Sequence, residues 1–267
     1  MPVICTLGDL LLDVVVKLSR PLAEGDDTHG ETRAGAGGQA ANVAGWTAAL
    51  GAESRFIGRR GDDTAGELVA ADLEGRGVQV LGPPPAGRNG VVVSLVDRDG
   101  SRTMVSDRGV APQLAPDEVE PAWFDGCDWL HLSGYSLMQE PIGSAAEEAV
   151  RLARTGGSRI GLDLSSVNLI RDFGRELLSE RLDRIRPDAV FGNEAEHGEL
   201  SVPTERRIVK RGPRGATIDG QDLPSVAGEV LDTTGAGDAL AAGYLVGGAE
   251  LAMEAAARCI AKLGTMP

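Results

Sequence analysis

Short apolar runs followed by a polar residue recur along this chain, and stretches long enough for a helix separate them. The run at residues 3–7 is followed by Asp9, and later runs lead to Asp163 and Asn193. Such runs are typical of strands buried on both faces, and their alternation with helix-length segments predicts a mostly parallel, doubly wound α/β sheet. In an open sheet, ligands bind beyond the carboxyl ends of the strands. We therefore expect these polar residues to lie on one rim. We interpret His131, inside an apolar run, as a structural histidine with satisfied hydrogen bonds.

A glycine-rich segment, Asp-Thr-Thr-Gly-Ala-Gly-Asp at residues 232–238, precedes small and apolar residues that can form a helix as far as residues 247–248. Residues 228–231 read as a turn and a short extended piece. Free N–H groups and the positive end of the dipole at a helix N-terminus attract anions. Asp238 adds a carboxylate, which suits a base that deprotonates a hydroxyl while the N–H groups stabilise a transferred phosphoryl group. For a lone Gly-Ala-Gly-Asp, an ordinary helix cap would be the alternative.

A second glycine-rich segment, Gly37-Gly38 with Asn42 four residues later, precedes another amphipathic helix. It is not a dinucleotide fingerprint, because polar residues rather than an apolar strand come before it. The glycines would let a ligand approach the backbone closely, and Asn42 offers both a donor and an acceptor. Asn42 could equally be an ordinary first-turn residue. Asp13, in an apolar run, needs a partner or an exposed edge position.

Residues 91–96 and 102–105 are β-branched or apolar and flank Asp97-Arg98-Asp99-Gly100. This pattern predicts an antiparallel hairpin. The hairpin interrupts the alternation of strands and helices, so we expect it to belong to a separate small sheet. A solvent-covered edge hairpin is the alternative.

Composition limits the classes of function. The 267 residues are 42% hydrophobic, which suits a single α/β domain over residues 1–267, and the net charge of -14 argues against nucleic acid or an anionic membrane as a partner. A phosphate substrate is still compatible, since a local cluster of N–H groups can override the global field. Cys5, Cys127 and Cys259 lack metal-ligand spacing, so we expect neither a disulfide framework nor a zinc site. No apolar run is long enough to span a membrane. A cytoplasmic protein is the simplest interpretation.

The order of these segments resembles the PfkB (ribokinase-like) family of sugar and nucleoside kinases over nearly the whole chain. Residues 37–42 are similar to the first signature of that family, and residues 232–238 are similar to the second. Asn193-x-x-Glu196 resembles the NxxE motif, and residues 212–215 resemble a Gly-x-x-Gly turn that contacts the nucleotide. The chain contains no Gly-x-x-x-x-Gly-Lys-Ser/Thr motif, which excludes a P-loop kinase.

The resemblance implies a ribokinase-like three-layer α/β/α fold with a mostly parallel sheet and a small β lid, formed by roughly residues 13–34 and 89–107. It implies that the lid forms a homodimer contact. It also implies roles for individual residues, which we give in one list: Asp238 as base; Gly235, Ala236 and Gly237 as anion hole; Asp13, Gly37, Gly38 and Asn42 at the acceptor; Asn193, Lys210, Gly212 and Gly215 at ATP; Glu196 at Mg²⁺ through water; Asp232 and Thr234 beside a monovalent cation such as K⁺.

The implied reaction is transfer of the γ-phosphoryl group of ATP to a hydroxyl of a sugar or similar acceptor. A nucleoside kinase is a competitor, less favoured because aromatic residues, which would stack on a base, make up only 3% of the chain. A catalytically idle nucleotide or sugar sensor is the second competitor. The short segment at residues 217–231, which shapes the nucleotide side, keeps that alternative open.

Overall fold

A nine-stranded sheet forms the centre of the computed structural model, which describes residues 1–97, 102–226, 228 and 230–267. With numbering in chain order, its strands are β1 (Val3–Leu7), β4 (Glu53–Ile57), β5 (Val78–Leu81), β8 (Trp129–Ser133), β9 (Arg159–Asp163), β10 (Ala189–Asn193), β11 (Arg206–Lys210), β12 (Ala216–Ile218) and β13 (Gln221–Leu223). The order across the sheet is β13-β12-β11-β10-β9-β8-β1-β4-β5. Every pair from β11 to β5 is parallel, and among the described strands of this sheet only β12 runs in the opposite direction, pairing antiparallel with β11 and β13. The predicted parallel sheet is confirmed.

Helices cover both faces of this sheet and complete three layers. They are α1 (Gln39–Ala49), α2 (Thr64–Gly75), α3 (Gly134–Leu137), α4 (Ile142–Thr155), α5 (Val167–Phe173), α6 (Arg175–Ile185), α7 (Glu194–Glu199), α8 (Ala236–Gly247) and α9 (Ala249–Ile260). One apolar cluster joins the sheet to α4 and α6, and another joins it to α1, α8 and α9. None of the helices in the described residues is long and apolar enough to cross a lipid bilayer.

Small side chains let the helices lie close to the sheet. On α4, Ala145, Ala149 and Ala153 are fully buried and recur at helical spacing along one face. On the opposite side of the sheet, Ala239 and Ala242 of α8 are also fully buried. Close packing of alanine helices therefore lets a chain with few aromatic residues exclude water from two extended faces.

A second, four-stranded sheet, which we call the lid sheet, consists of β2 (Leu11–Leu18), β3 (Gly30–Gly37), β6 (Asn89–Val96) and β7 (Arg102–Gly109) in the order β3-β2-β6-β7. Strands β6 and β7 pair antiparallel, so the predicted hairpin strands are confirmed. The predicted turn at Arg98, Asp99 and Gly100 lies outside the described residues.

Three local predictions need correction. No strand forms at residues 228, 230 and 231, where an extended piece was expected; instead the Leu231 N–H donates to the Ile260 carbonyl, which ties this segment to the end of α9. The segment after the Gly-x-x-Gly turn forms the hairpin β12–β13, which the sequence analysis did not anticipate. The last helix begins two residues earlier and ends two residues earlier than the predicted range 251–262.

His131 is structural, as expected, but it lacks the hydrogen bonds that were expected with it. The side chain is fully buried on β8, and neither ring nitrogen has a hydrogen-bond partner among the described residues. The Phe191 ring contacts it edge-on at 5.6 Å between centroids. Burial lowers the pKa of His131 to about 4, with Lys210 acting in the same direction and Asp163 opposing it. The imidazole is therefore neutral in the folded protein at pH 7.

This neutral imidazole predicts a pH-dependent stability. Because the pKa is depressed from its usual 6.5 to about 4, the unfolded chain binds a proton that the folded chain refuses. Stability is then intact above about pH 6.5 and falls by about 3 kcal/mol as the pH drops to 4. Urea unfolding of the wild type and of His131→Phe between pH 4 and 7.5 measures the difference. Parallel pH profiles for the two proteins would contradict the assignment.

Candidate active site

The N-terminus of α8 is built to receive an anion. Gly235 precedes the helix with φ 77°, a left-handed conformation that favours glycine, and its Cα lies against the backbone of Thr265. The N–H groups of Gly235 and Gly237 donate to no other described residue, and that of Ala236 makes only a long 3.4 Å contact with the Thr233 carbonyl. These donors, together with the helix dipole, form a site of positive potential.

Asp238 projects from the first turn of α8 and is held by Asn42. The Asn42 amide Nδ2 donates to Asp238 Oδ2 over 2.8 Å, and the Thr265 hydroxyl donates to Asn42 Oδ1 over 2.9 Å. Burial raises the pKa of Asp238 to about 7; the Asn42 hydrogen bond and Lys210 oppose the rise, while the carboxylates of Asp163 and Asp13 add to it. A carboxylate with such a pKa is suited to accept a proton at neutral pH.

The residues predicted to hold the acceptor lie together at the start of α1. Gly38 has φ 98°, and a Cβ on it would come within 2.4 Å of the Asp9 carbonyl oxygen, so glycine is required there. The Asp13 carboxyl group lies directly over Gly37, where a Cβ would meet its Cγ at 2.0 Å. The Asp13 side chain makes no hydrogen bond or ion pair with another described residue, and burial raises its pKa to about 6. Its oxygens are thus free for a ligand.

Lys210 and Asp163 form a buried ion pair beside the anion site. Lys210 Nζ lies 3.0 and 2.7 Å from the two carboxylate oxygens of Asp163. The same ammonium lies 3.2 Å from the point where a Cβ on Gly237 would sit. Parallel strands on either side of β10 bring the two residues to one rim, because Asp163 ends β9 and Lys210 ends β11. The sequence analysis placed Asp163 on this rim but did not assign it a role.

Asn193 and Glu196 form a reciprocal capping box at the start of α7. The Asn193 N–H and Nδ2 donate to the two Glu196 oxygens, and both distances are 2.8 Å. In return, the Glu196 N–H donates to Asn193 Oδ1 at 2.9 Å. Glu196 is buried, which raises its pKa, while Lys210 opposes the rise. The helix-capping role is therefore established for this motif. Each Glu196 oxygen still has a lone pair for water or a cation.

Asp232 and Thr234 hold the loop in front of α8. One oxygen of Asp232 accepts hydrogen bonds from the Thr234 N–H at 2.9 Å and from its hydroxyl at 2.5 Å. The other oxygen accepts the Gly264 N–H at 3.0 Å. In this structure the carboxylate fixes the loop against the segment that follows α9.

Two cavities lie near this centre. The first, which we call the nucleotide-side cavity, has a volume of about 520 Å³. Its polar side carries Lys210 and the predicted turn glycines Gly212 and Gly215, and its floor is the anion site at Ala236 and Gly237. Its far wall is apolar and is formed by Met253, Ala256, Ala257 and Ile260 of α9.

The second, which we call the acceptor-side cavity, has a volume of about 710 Å³ and lies between the lid sheet, α2 and the segment after α9. Asp13 and Thr265 line it, so it reaches the Asn42–Asp238 pair through Thr265. A larger cavity of about 970 Å³ lies at the opposite end of the sheet, around Asp188, and contains none of the predicted site residues.

The lid sheet is tied to the main sheet by an ion pair that the sequence did not indicate. Arg108 on β7 donates from Nε and from one terminal nitrogen to the two oxygens of Asp9, at 2.6 and 2.8 Å. Its other terminal nitrogen donates to Gln139 over 2.5 Å. Thr265 and Arg108 were both missed because no motif contains them.

Comparison with known proteins gives the same class of molecule as the fold and the site. A family model for pfkB family carbohydrate kinases matches residues 1–265. ATP-dependent ribose-1-phosphate kinase from Halopiger xanaduensis is 31% identical over 96% of this chain and 90% of the relative. Fructokinase from Klebsiella pneumoniae is 31% identical over 91% of this chain and 83% of the relative. An E. coli protein assigned as ribokinase II, solved in complex with ATP and Mg²⁺, superposes with a TM-score of 0.79 at 22% identity, over all of this chain and 95% of that one.

The chain therefore belongs to the pfkB family of carbohydrate kinases. It is a phosphotransferase whose relatives act on sugars and nucleosides. The three-layer fold implied by the sequence resemblance is confirmed.

The Asn42–Asp238 hydrogen bond predicts a measurable change in pH dependence. If Asp238 must be ionised, kcat/KM falls as the pH drops through about 7, the pKa of Asp238. The Asn42 hydrogen bond lowers that pKa, so Asn42→Ala moves the acidic limb of the profile to higher pH. Thr265→Val is the matched control: it removes the bond to Asn42 but keeps the bond to Asp238, and it should shift the limb less. An unshifted profile in Asn42→Ala would argue against this role.

Proposed function

We propose that this protein transfers the γ-phosphoryl group of ATP to a hydroxyl of a sugar or sugar-like acceptor, with Asp238 as the base. The observation that carries the proposal is the position of Asp238. It lies in the first turn of α8, whose N–H donors at Gly235 and Gly237 are free of other described residues, it is held by Asn42, and its pKa of about 7 suits a base at neutral pH. Holding a hydroxyl and a phosphoryl group in line at such a point supplies most of what phosphoryl transfer needs.

In the proposed reaction, the acceptor hydroxyl gives its proton to Asp238 Oδ1, because Oδ2 already accepts from Asn42. The hydroxyl oxygen forms a bond to the γ-phosphorus as the bond to the β–γ bridging oxygen breaks, and ADP leaves. The N–H groups of Gly235, Ala236 and Gly237 stabilise the negative charge on the transferred group. Asp13, Gly37 and Gly38 hold the acceptor, and Asn42 both contacts it and orients the base.

On the donor side, we propose that Lys210, Gly212 and Gly215 contact ATP and that the apolar wall of α9 receives the adenine. Asn193 and Glu196 fit a water-mediated Mg²⁺ site, since the buried Glu196 carboxylate keeps free lone pairs. Bound Mg²⁺ would supply charge neutralisation on the phosphates. Asp232 and Thr234 remain our proposal for a K⁺ site in the loop. Use of ATP as donor also leads us to propose a cytoplasmic location.

The lining of the acceptor-side cavity favours a sugar over a nucleoside. None of the described residues that line it is aromatic, and a nucleoside base needs a stacking surface. Candidate acceptors include fructose and ribose 1-phosphate, the substrates named for two relatives. A catalytically idle sensor is disfavoured by the free N–H donors beside a base that is already oriented.

We also propose that the lid sheet forms a homodimer contact. Val14, Val93 and Val105 stand in register on three neighbouring strands and share one face with Ala34. Val105 is 63% exposed. A row of apolar side chains on an open sheet face is a surface suited to a second copy of the chain.

Asp238→Asn tests the base. Removing a general base slows turnover by about 10²- to 10⁴-fold, so kcat in a coupled ADP assay should fall by that factor with the best acceptor. Stabilisation of the fold by Mg·ATP should stay near the wild-type value, because the N–H groups and Lys210 are untouched. Near wild-type turnover in Asp238→Asn would sink the base assignment. Stabilisation by ATP without turnover of any sugar, sugar phosphate or nucleoside would favour the sensor.

Val105→Glu tests the homodimer. A charge at the exposed end of the valine row should convert a dimer to a monomer in light scattering, since burying it costs several kcal/mol. Leu177→Glu on α6 is the matched control, because Leu177 is 58% exposed and lies outside the lid sheet. A monomeric wild type would refute the dimer outright.

A further inference from the structure

The acceptor-side cavity carries basic side chains that are not neutralised. Two acids, Asp13 and Asp72, are among the described residues that line this cavity. We assign Asp13 to the hydroxyls of the acceptor. Asp72 already accepts hydrogen bonds from Arg76 Nε at 3.0 Å and from the Ala36 N–H at 2.8 Å. Arg33 and Lys262 line the same cavity, and neither forms an ion pair with an acid among the described residues. In a chain with a net charge of -14, two such cations facing one cavity need an explanation.

Arg33 and Lys262 both lie at the segment that follows α9. The Arg33 guanidinium reaches the Leu263 carbonyl with one long contact of 3.4 Å, and Leu263 directly follows Lys262. The Lys262 ammonium lies over the Trp46 ring at 4.8 Å from its centroid. Burial lowers the pKa of Lys262, and the neighbouring guanidinium groups of Arg76 and Arg258 act in the same direction.

The register of the lid sheet fixes how far Arg33 lies from Asp13. Asp13 pairs with Gly35, and Val15 pairs with Arg33, so Asp13 and Arg33 project from the same face, one side-chain repeat apart. That repeat is about 7 Å along a strand. A sugar whose hydroxyls contact Asp13 would therefore present a substituent on its far side to Arg33.

We propose that the acceptor already carries a phosphate monoester and that Arg33 and Lys262 bind it, so that the protein phosphorylates a sugar phosphate in preference to a neutral sugar. The proposal rests on the proposed function of this site. Guanidinium and ammonium groups are the side chains that recognise phosphate, the first through paired N–H donors and the second as a point charge. The negative charge of the ligand would replace the acidic partners that both cations lack.

The test compares two acceptors, ribose 1-phosphate and ribose, in the wild type and in Arg33→Gln and Lys262→Gln. The wild type should have the higher kcat/KM with ribose 1-phosphate. Loss of one charged hydrogen-bonding group should reduce the ratio of the two kcat/KM values by about 10-fold or more, mainly through KM for ribose 1-phosphate, since the phosphate is bound equally before and during transfer. Lys262→Arg should restore the ratio. Arg20→Gln, which removes the same charge from a surface loop where Arg20 contacts only the Asp27 carbonyl, should leave it at the wild-type value.

A wild type that prefers ribose, or variants that slow both acceptors by the same factor, would overturn the proposal. A gluconate-type sugar acid serves as a third acceptor: preference for it over ribose 1-phosphate would assign the cations to a carboxylate and also overturn the phosphate assignment.

Binding separates this proposal from the proposed function. Inorganic phosphate and ribose 1-phosphate should raise the melting temperature of the wild type and of Asp238→Asn, and this rise should be lost in Arg33→Gln. If phosphate raises the melting temperature in a way that depends on Arg33, but no acceptor is turned over, the kinase reaction is refuted and the phosphate subsite stands. If an acceptor is turned over but phosphate does not raise the melting temperature, the kinase reaction stands and the phosphate subsite is refuted.

Discussion

The hydrogen bond between Asn42 and Asp238 is the contact on which the centre of this structure depends. It joins the first turns of α1 and α8, two helices that each begin at a glycine with a left-handed backbone and that lie almost 200 residues apart in sequence. Each helix brings its own chemistry: α1 brings the acceptor residues near Asp13, and α8 brings the free N–H donors. The bond fixes the proposed base where the two helices begin. It also lowers a pKa that burial alone would raise further, so one amide both orients the carboxylate and keeps it ionisable near neutral pH.

The second buried charge pair shows how the rim is organised around this contact. Lys210 comes from β11 and Asp163 from β9, and the parallel sheet delivers both side chains to the carboxyl ends of the strands. A buried cation without a partner would be costly, and the pairing offsets that cost while leaving the ammonium beside Gly237. Negative charge from phosphate groups would compete with Asp163 for the same ammonium. The ion pair is thus compatible with both the empty and the nucleotide-bound protein.

The sequence was sufficient for features that depend on local patterns. Alternating apolar runs predicted the parallel sheet, and the two glycine-rich segments predicted the starts of α1 and α8. Long-range partners could not be predicted in this way. Nothing near Thr265 marks it as the residue that bonds Asn42, and Arg108 has no motif that links it to Asp9. His131 was assigned hydrogen bonds because buried polar groups usually have them, and only the packing of β8 against Phe191 shows that they are absent from the described residues. The helix α6 could have been found, because Leu178, Leu182 and Ile185 recur at helical spacing on its buried side.

The segment after α9 is as much a part of the site as the glycine-rich loops. The Thr265 carbonyl accepts the Trp46 indole N–H, its hydroxyl bonds Asn42, and the preceding residue, Gly264, bonds Asp232. The contacts between Thr265 and α1 span more than 200 residues. During synthesis, the strands near the N-terminus leave the ribosome long before these partners exist. The sheet can assemble progressively, but the base cannot be oriented until residue 265 has emerged. A ribosome-bound chain would therefore pass through a state that is largely folded and not yet competent to react.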